Sequence, residues 1–320
     1  MISLSELAKK IALEKKVALF VHVRPDGDTI GSAFAFRLAL NSLGITTDVF
    51  SEDAIPERFS YLKGYDNVIR NQVDFSTYSA LIAIDCADVT RLGSFAKAFE
   101  EHKNTFVIDH HISNPRYAKC NYVVDNASNC ENVFALIREM GATISEDIAN
   151  YLGTGIVTDT GNFRHKSVTP FTFEVASSLK EFGADFNEIV YNNFNKQTKE
   201  RAKLFGMVMS KIRYFYDNRF AVITITENDI KTAGATADQT EGFIDFIMGI
   251  DTVEVGASVM EIAKNKYKIS FRSKSANVNA VAGSFGGGGH VLASGCQISG
   301  EYEEVIDKIS FAVSRELPEI

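Results

Sequence analysis

From Val17 onward, short apolar runs alternate with helix-length amphipathic stretches: VALFVHV at 17–23, TTDVFS at 46–51, SALIAID at 79–85 and TFVID at 105–109. Strand, helix, strand at this spacing predicts parallel βαβ units in a sheet covered on both faces. The first connecting helix is expected from about Thr29 to Leu43, and after NYVVD at 121–125 helices are expected over 130–140, 146–158, 170–182 and 186–195. The stretch 197–216, QTKERAKLFGMVMSKIRYFY, carries Leu204, Phe205, Met207, Val208 and Ile212 without a proline or a glycine run, which predicts a helix linking two lobes. Beyond it RFAVITITE, VEVGASVMEIA and YKISFRSK read as strands, with helices near 237–249 and 301–316.

The pattern therefore predicts an α/β protein, with an N-terminal doubly wound, mainly parallel sheet and a smaller C-terminal α/β domain joined by a linker helix. The expected bounds are 1–195, 196–218 and 219–320, and a cleft is expected between the unlike halves.

Composition narrows the class. With 320 residues, 45% of them apolar, 24 Phe and five Pro, the chain has ample core material and no disordered character. No apolar run is long enough to cross a bilayer and no export signal is visible, so a cytoplasmic protein is expected. Cys86, Cys120, Cys130 and Cys296 lack Cys-x-x-Cys spacing, which fits reduced thiols rather than a zinc ribbon or a disulfide framework. A net charge of −8 disfavours coating long nucleic acid, whose affinity comes from many Lys and Arg contacts to phosphate, but leaves a short phosphate-bearing ligand compatible.

Four motifs carry candidate chemistry: His22-x-x-x-Asp26-x-Asp28, Asp85, Asp109-His110-His111 and Asp159, each at the end of a strand-like run or at a helix turn. Singly, each has a plain reading, since Asp-Gly marks turns, an Asp after a strand caps helices, and adjacent histidines are often polar loop residues. Together they form a set. Asp26, Asp28, Asp85 and Asp159 supply four negative charges, matching two divalent cations, and His22 and His110 add neutral donors. Oxygen and imidazole ligands without thiolate favour manganese, with magnesium, cobalt or iron also suited, over structural zinc. In the C-terminal half, SFGGGGHVLASG at 284–295 offers bare backbone amides leading into an expected helix N-terminus, an anion cradle in which Gly287, Gly288, Gly289 and His290 are the candidates. Arg272 and Ser273, at the end of YKISF, add a bidentate cation and a hydroxyl. Arg164-His165-Lys166 reads as an exposed basic loop.

This ordered set resembles the DHH phosphoesterase superfamily, named for the Asp-His-His at 109–111, over nearly the whole chain, including the Gly-Gly-Gly-His signature at 287–290. The resemblance implies that His22 and Asp26 hold one metal and Asp28, His110 and Asp159 another, with Asp85 bridging. It also implies that Asp109 orients the neighbouring histidines and that His111 faces the scissile phosphate or the leaving oxygen. Within the superfamily the chain is most similar to the compact nanoRNase and pAp-phosphatase (NrnA-like) group. It lacks the Arg-Lys-Lys signature of family II inorganic pyrophosphatases. The implied activity is hydrolysis of very short oligoribonucleotides to mononucleotides and dephosphorylation of adenosine 3′,5′-bisphosphate, by a water activated between two metals. The implied partners are short oligoribonucleotides or small phosphorylated nucleotides, with no long duplex, no membrane, and a homodimer compatible. Alternatives are a soluble cyclic di-AMP or pApA phosphodiesterase and a non-catalytic nucleotide-binding module.

Overall fold

The computed structural model describes residues 2–317, so that positions 1 and 318–320, the outer ends of the two expected domains, lie outside the described residues. Two compact units divide between Lys196 and Gln197. The first contains, in order, α1 (Leu4–Ile11), β1 (Lys16–Phe20), α2 (Gly27–Ser42), β2 (Thr46–Phe50), β3 (Ala80–Ile84), α3 (Ala96–Glu101), β4 (Thr105–Asp109), β5 (Cys120–Val123), α4 (Asn129–Glu139), α5 (Glu146–Asp159), α6 (Pro170–Glu181) and α7 (Phe186–Val190). A single π-helical turn, Tyr191–Asn195, extends α7.

The strands pair in the order β2-β1-β3-β4-β5, all parallel. Their side chains alternate between two cores, as a sheet covered on both faces requires. Val17 and Leu19 pack with Ile82, Phe34 and Tyr151 on one face; Ala18 and Phe20 pack with Phe50, Phe75, Phe95 and Phe99 on the other. Helix α2 is buried continuously from Gly27 to Phe36 because it lies between the sheet and α5. Close approach is the reason for its small residues. A β-carbon at Gly31 would overlap the Tyr151 carbonyl oxygen, and one at Gly155 would overlap Cys130 Sγ and stand 2.7 Å from Asp28 Oδ1.

The second unit contains α8 (Lys199–Met209), β6 (Arg213–Phe215), β7 (Phe220–Ile225), α9 (Glu227–Ala233), α10 (Phe243–Met248), β8 (Val255–Ala263), β9 (Lys266–Ser273), α11 (Val278–Gly283), β10 (Gly288–His290), β11 (Ala293–Ser299) and α12 (Tyr302–Ser314). Its sheet runs β10-β11-β9-β8-β7-β6, antiparallel except for the β7–β8 pair. One face is covered by α11 and α12, the other by α8, α9 and α10.

Two expectations are corrected here. The segment 196–218 is not one linker helix: α8 ends at Met209, and Arg213–Phe215 turns back as a strand on β7. Tyr216, Asp217 and Asn218 all take positive φ, a left-handed turn that Asp and Asn tolerate and that forces a hairpin after the aromatic run. The glycine-rich segment likewise leads into a β10–β11 hairpin and not into a helix. Its glycines let that hairpin close, since a β-carbon at Gly287 would overlap the Gly295 carbonyl oxygen.

Candidate metal centre

A strand order of 2-1-3 sends the chain from β1 to one side and brings β3 in on the other, and that switch opens a crevice at the carboxyl ends of the strands. His22 lies two residues past β1, Asp85 directly follows β3, and Asp109 closes β4 with His110 and His111 after it. Asp26 and Asp28 come from the start of α2 and Asp159 from the end of α5. Residues far apart in the chain thereby form three overlapping ligand sets, His22–Asp26–Asp85, Asp28–His110–Asp159 and Asp85–His110–His111, whose donor atoms lie within 4.8 Å of one another.

Asp85 is the hinge of the arrangement. It is buried and its backbone takes φ 54°, a strained left-handed conformation for a residue with a side chain, of the kind that collects at functional sites. Its Oδ2 lies 3.9 Å from His22 Nε2 and its Oδ1 3.4 Å from His110 Nε2. Oδ1 is fully buried without a hydrogen bond of good geometry, and such an atom is costly unless something else pairs it.

The surrounding groups are aimed with equal care. Asp26 serves two readings at once: Oδ1 caps α2 by accepting from the Asp28 and Thr29 amides at 3.1 Å, while Oδ2 stands 3.4 Å from His22 Nε2. Asp28 accepts from Ser128 Oγ at 2.7 Å and from the amides of Asn129 at 2.6 Å and Cys130 at 3.0 Å, where α4 begins. His110 Nδ1 lies 2.9 Å from the Asn126 carbonyl oxygen, which fixes its proton there and turns Nε2 onto Asp28, Asp85 and Asp159 at 3.4–3.7 Å. His22 Nδ1 is 2.9 Å from both the Val23 carbonyl and Arg91 Nη2. One nitrogen cannot serve both, and the tautomer suited to ligation through Nε2 donates from Nδ1 to the carbonyl. Asp109, fully buried, pairs with His111 Nδ1 at 2.7 Å and accepts from Asn114 Nδ2 at 2.6 Å. His111, half-buried, is thus oriented by Asp109.

The charge balance explains the proton affinities. Burial pushes Asp28 well up, with Asp85 and Asp159 adding repulsion, and burial pushes Asp159 to about 6 despite the attraction of His110. For His110 burial works the other way, but Asp85 and Asp28 outweigh it and raise the imidazole to about 11. Burial also opposes the proton on His22, and Asp26 overcomes it; His111 is raised chiefly by Asp109. The raised proton affinities of Asp28, Asp159 and His110 mark a surplus of negative charge at the centre of the cluster. A carboxylate-rich donor set, with a buried Asp85 oxygen at its centre that makes no hydrogen bond of good geometry, fits divalent cations. Thiolates take no part, because burial holds Cys86 up at about 12 and Cys130 well above its ordinary value.

Arg91, Asn114, Asn126 and Ser128 were not legible as site residues from sequence. Ser128 carried the only local signal, a helix N-cap. Of the basic loop, His165 Nδ1 lies 2.9 Å from the Asp159 carbonyl oxygen and Arg164 Nε donates to the Gly161 carbonyl at 2.7 Å.

In the second unit, Arg272, Ala293 and His290 form one row across β9, β11 and β10, so the Arg272 and His290 side chains share a sheet face. Arg272 opens onto a cavity of about 320 Å³ that is lined by Lys268, Ser258 and Ser270 and also by the carboxylates Asp238 and Glu241. Ser273 alternates to the other face and its Oγ accepts from the Ser275 and Ala276 amides, a turn-capping role. Gly288, Gly289 and His290 are exposed on the edge strand, and Gly287 precedes them.

The DHH family model for the N-terminal domain matches residues 16–156, and the DHHA1 domain model matches 217–317. The bifunctional oligoribonuclease and PAP phosphatase NrnA of Thermus thermophilus is 29% identical, covering 96% of this chain and 91% of its own. A probable manganese-dependent inorganic pyrophosphatase of Streptococcus agalactiae is 26% identical over 79% of this chain and 88% of its own. Among solved structures, an exopolyphosphatase-related protein of Bacteroides fragilis superposes with a TM-score of 0.81 at 26% identity, covering 98% of this chain and 95% of that one.

Proposed function

This chain belongs to the DHH family, and from that premise we propose that it hydrolyses very short oligoribonucleotides to mononucleotides and removes the 3′-phosphate of adenosine 3′,5′-bisphosphate. The observation that carries the reading is Asp85: one buried carboxylate whose two oxygens turn to different histidines, 3.9 and 3.4 Å away. In this reading His22 and Asp26 would hold one divalent cation and Asp28, His110 and Asp159 a second, with Asp85 available to both. Manganese suits the donors best, in keeping with the S. agalactiae relative's name. Bound cations supply a water acidic enough to attack near neutral pH and neutralise charge on the phosphate oxygens.

The chain's own groups do the rest. Asp109 accepts a hydrogen bond from His111 Nδ1–H and so leaves Nε2–H to donate to the departing alkoxide, general-acid catalysis by a histidine already biased toward its protonated form. Arg272 grips a substrate phosphate bidentately, with Gly287, Gly288, Gly289 and His290 offering exposed edge amides and an imidazole. Ser273 Oγ accepts from two turn amides, which leaves its O–H as the donor it would offer to a substrate phosphate. The Thermus relative's paired activities support the substrate class, and the four reduced cysteines suit work in the cytoplasm.

The test is a panel of 5′-labelled pApA, a longer RNA, adenosine 3′,5′-bisphosphate and cyclic di-AMP, each incubated with the manganese-loaded protein. Both pApA and the bisphosphate should turn over much faster than long RNA, and because the phosphodiesterase alternative also cleaves pApA, it is release of the 3′-phosphate from the bisphosphate that separates the two readings. Preference for cyclic di-AMP moves the chain to the phosphodiesterase alternative, and equal rates on short and long RNA overturn the short-substrate reading.

A further inference from the structure

Directly after Asp159 the backbone takes positive φ at Gly161, Asn162 and Phe163, 55°, 59° and 61°. This strained corner is pinned by the Asn162 amide donating to the Val157 carbonyl at 2.8 Å and the Phe163 amide donating to Thr160 Oγ1 at 2.9 Å. It places Asn162 and Phe163 in the wall of a solvent-open cavity of about 550 Å³, lined also by Lys180 of α6, Phe186 and Asn187 of α7, and Asn195 of the π-helical turn. All of these belong to the first unit. The volume is that of a small-molecule site.

The lining is specific in kind. Phe163 stacks on Phe173 with ring centroids 5.5 Å apart and 18° between planes, and Phe186 stands 6.4 Å from Phe163. The side-chain amides of Asn162, Asn187 and Asn195 hydrogen-bond no other described residue. Solvated asparagines are ordinary, but three around two aromatic rings offer paired donors and acceptors beside π-faces. The lining holds no carboxylate and one cation, Lys180, whose Nζ donates to the Ala184 carbonyl at 3.2 Å. A phosphate would call for more cations. A neutral, planar, hydrogen-bonding ring is what fits, and bases are read by stacking on aromatics and by amides on their edges. Three residues of chain reach at most roughly 11 Å, so the cavity begins within a nucleotide's reach of Asp159.

We propose that this cavity is a nucleobase pocket of the catalytic unit, with Phe163 as the stacking surface and Asn162, Asn187 and Asn195 as the edge-reading amides; it rests on the phosphoesterase reading above. Two measurements separate the failures. Calorimetric titration of AMP and of ribose 5-phosphate into the manganese-loaded protein needs no turnover: AMP should bind roughly 10-fold or more tighter, and the margin should shrink to below about threefold in the double variant Asn187→Ala/Asn195→Ala and in Phe163→Leu. An unchanged margin in the double variant, whose side chains are exposed and hydrogen-bond no other described residue, overturns the pocket whatever the enzyme does. The ratio of kcat/KM for pApA to that for its singly abasic analogue should fall in parallel. Wild-type protein that hydrolyses neither pApA nor adenosine bisphosphate sinks the phosphoesterase reading, while the AMP titration still decides the pocket.

Discussion

Asp85 shows how a single residue carries both strain and function. Its left-handed φ and an Oδ1 that is buried with no hydrogen bond of good geometry each disfavour the fold, and both make sense if that oxygen meets a cation. His111 differs: its pairing is complete on Nδ1 and open on Nε2, the state of a proton donor. His111→Ala should therefore lower kcat by about 10²–10⁴-fold while manganese bound per chain stays unchanged by elemental analysis; loss of metal instead would make His111 a ligand. Proton competition gives a second prediction. In the metal-free fold His110 binds its proton up to about 11 against an ordinary 6.5, so its stabilising contribution is complete below the lower value and lost as pH rises through the upper. Asp159, raised from 3.8 to about 6, holds its proton in the fold as well, so stability falls as pH climbs through that window. Both groups make the metal-free protein less stable with rising pH, and a divalent cation replaces those protons. The gain in Tm on adding Mn2+ should accordingly grow from about pH 5.5 to about pH 8.5; a gain that shrinks over that range contradicts the cluster's charge balance.

At the level of elements, α2 and α5 do the positioning. They approach closely enough at Gly31 and Gly155 that added β-carbons would overlap their neighbours, and Gly155 backs directly onto Asp28 and Cys130. Gly155→Ala should destabilise the protein by about 1–3 kcal/mol in chemical denaturation and weaken manganese binding together, whereas Gly206→Ala, with open space around its position, should do neither. Apolar runs gave the parallel strands β1 to β4 their places because both faces of that sheet are buried along most of their length, with charge confined to Lys16 at the start of β1, Asp48 in β2 at the sheet edge and Asp109 at the end of β4. Helix α2 was harder to delimit, since burial on all sides leaves no amphipathic stripe to read. The supposed linker helix misled for another reason. The Leu204 to Val208 periodicity is real, but the aromatic run through Phe215 feeds a left-handed Asp-Asn turn that only the antiparallel partner β7 explains. The glycine run failed likewise, because bare amides look alike before a helix and in a tight hairpin.

For the whole molecule, the motifs were legible because a carboxylate and imidazole set is the chemistry a hard divalent cation calls for, and because several of them follow strand-like runs. The groups that orient them were not, because an Asn126 carbonyl or a Ser128 hydroxyl has no sequence mark of its purpose. A net charge of −8 sits on a protein proposed to bind anions, and the difficulty eases if cations neutralise Asp26, Asp28, Asp85 and Asp159 locally. Among the described residues no helix is long and apolar enough to cross a membrane. The most direct measurement is anomalous diffraction at the manganese edge from crystals grown with Mn2+. The account predicts two peaks flanking Asp85, one beside His22 and Asp26 and the other beside Asp28, His110 and Asp159. Manganese bound elsewhere, or none in that crevice, would contradict it.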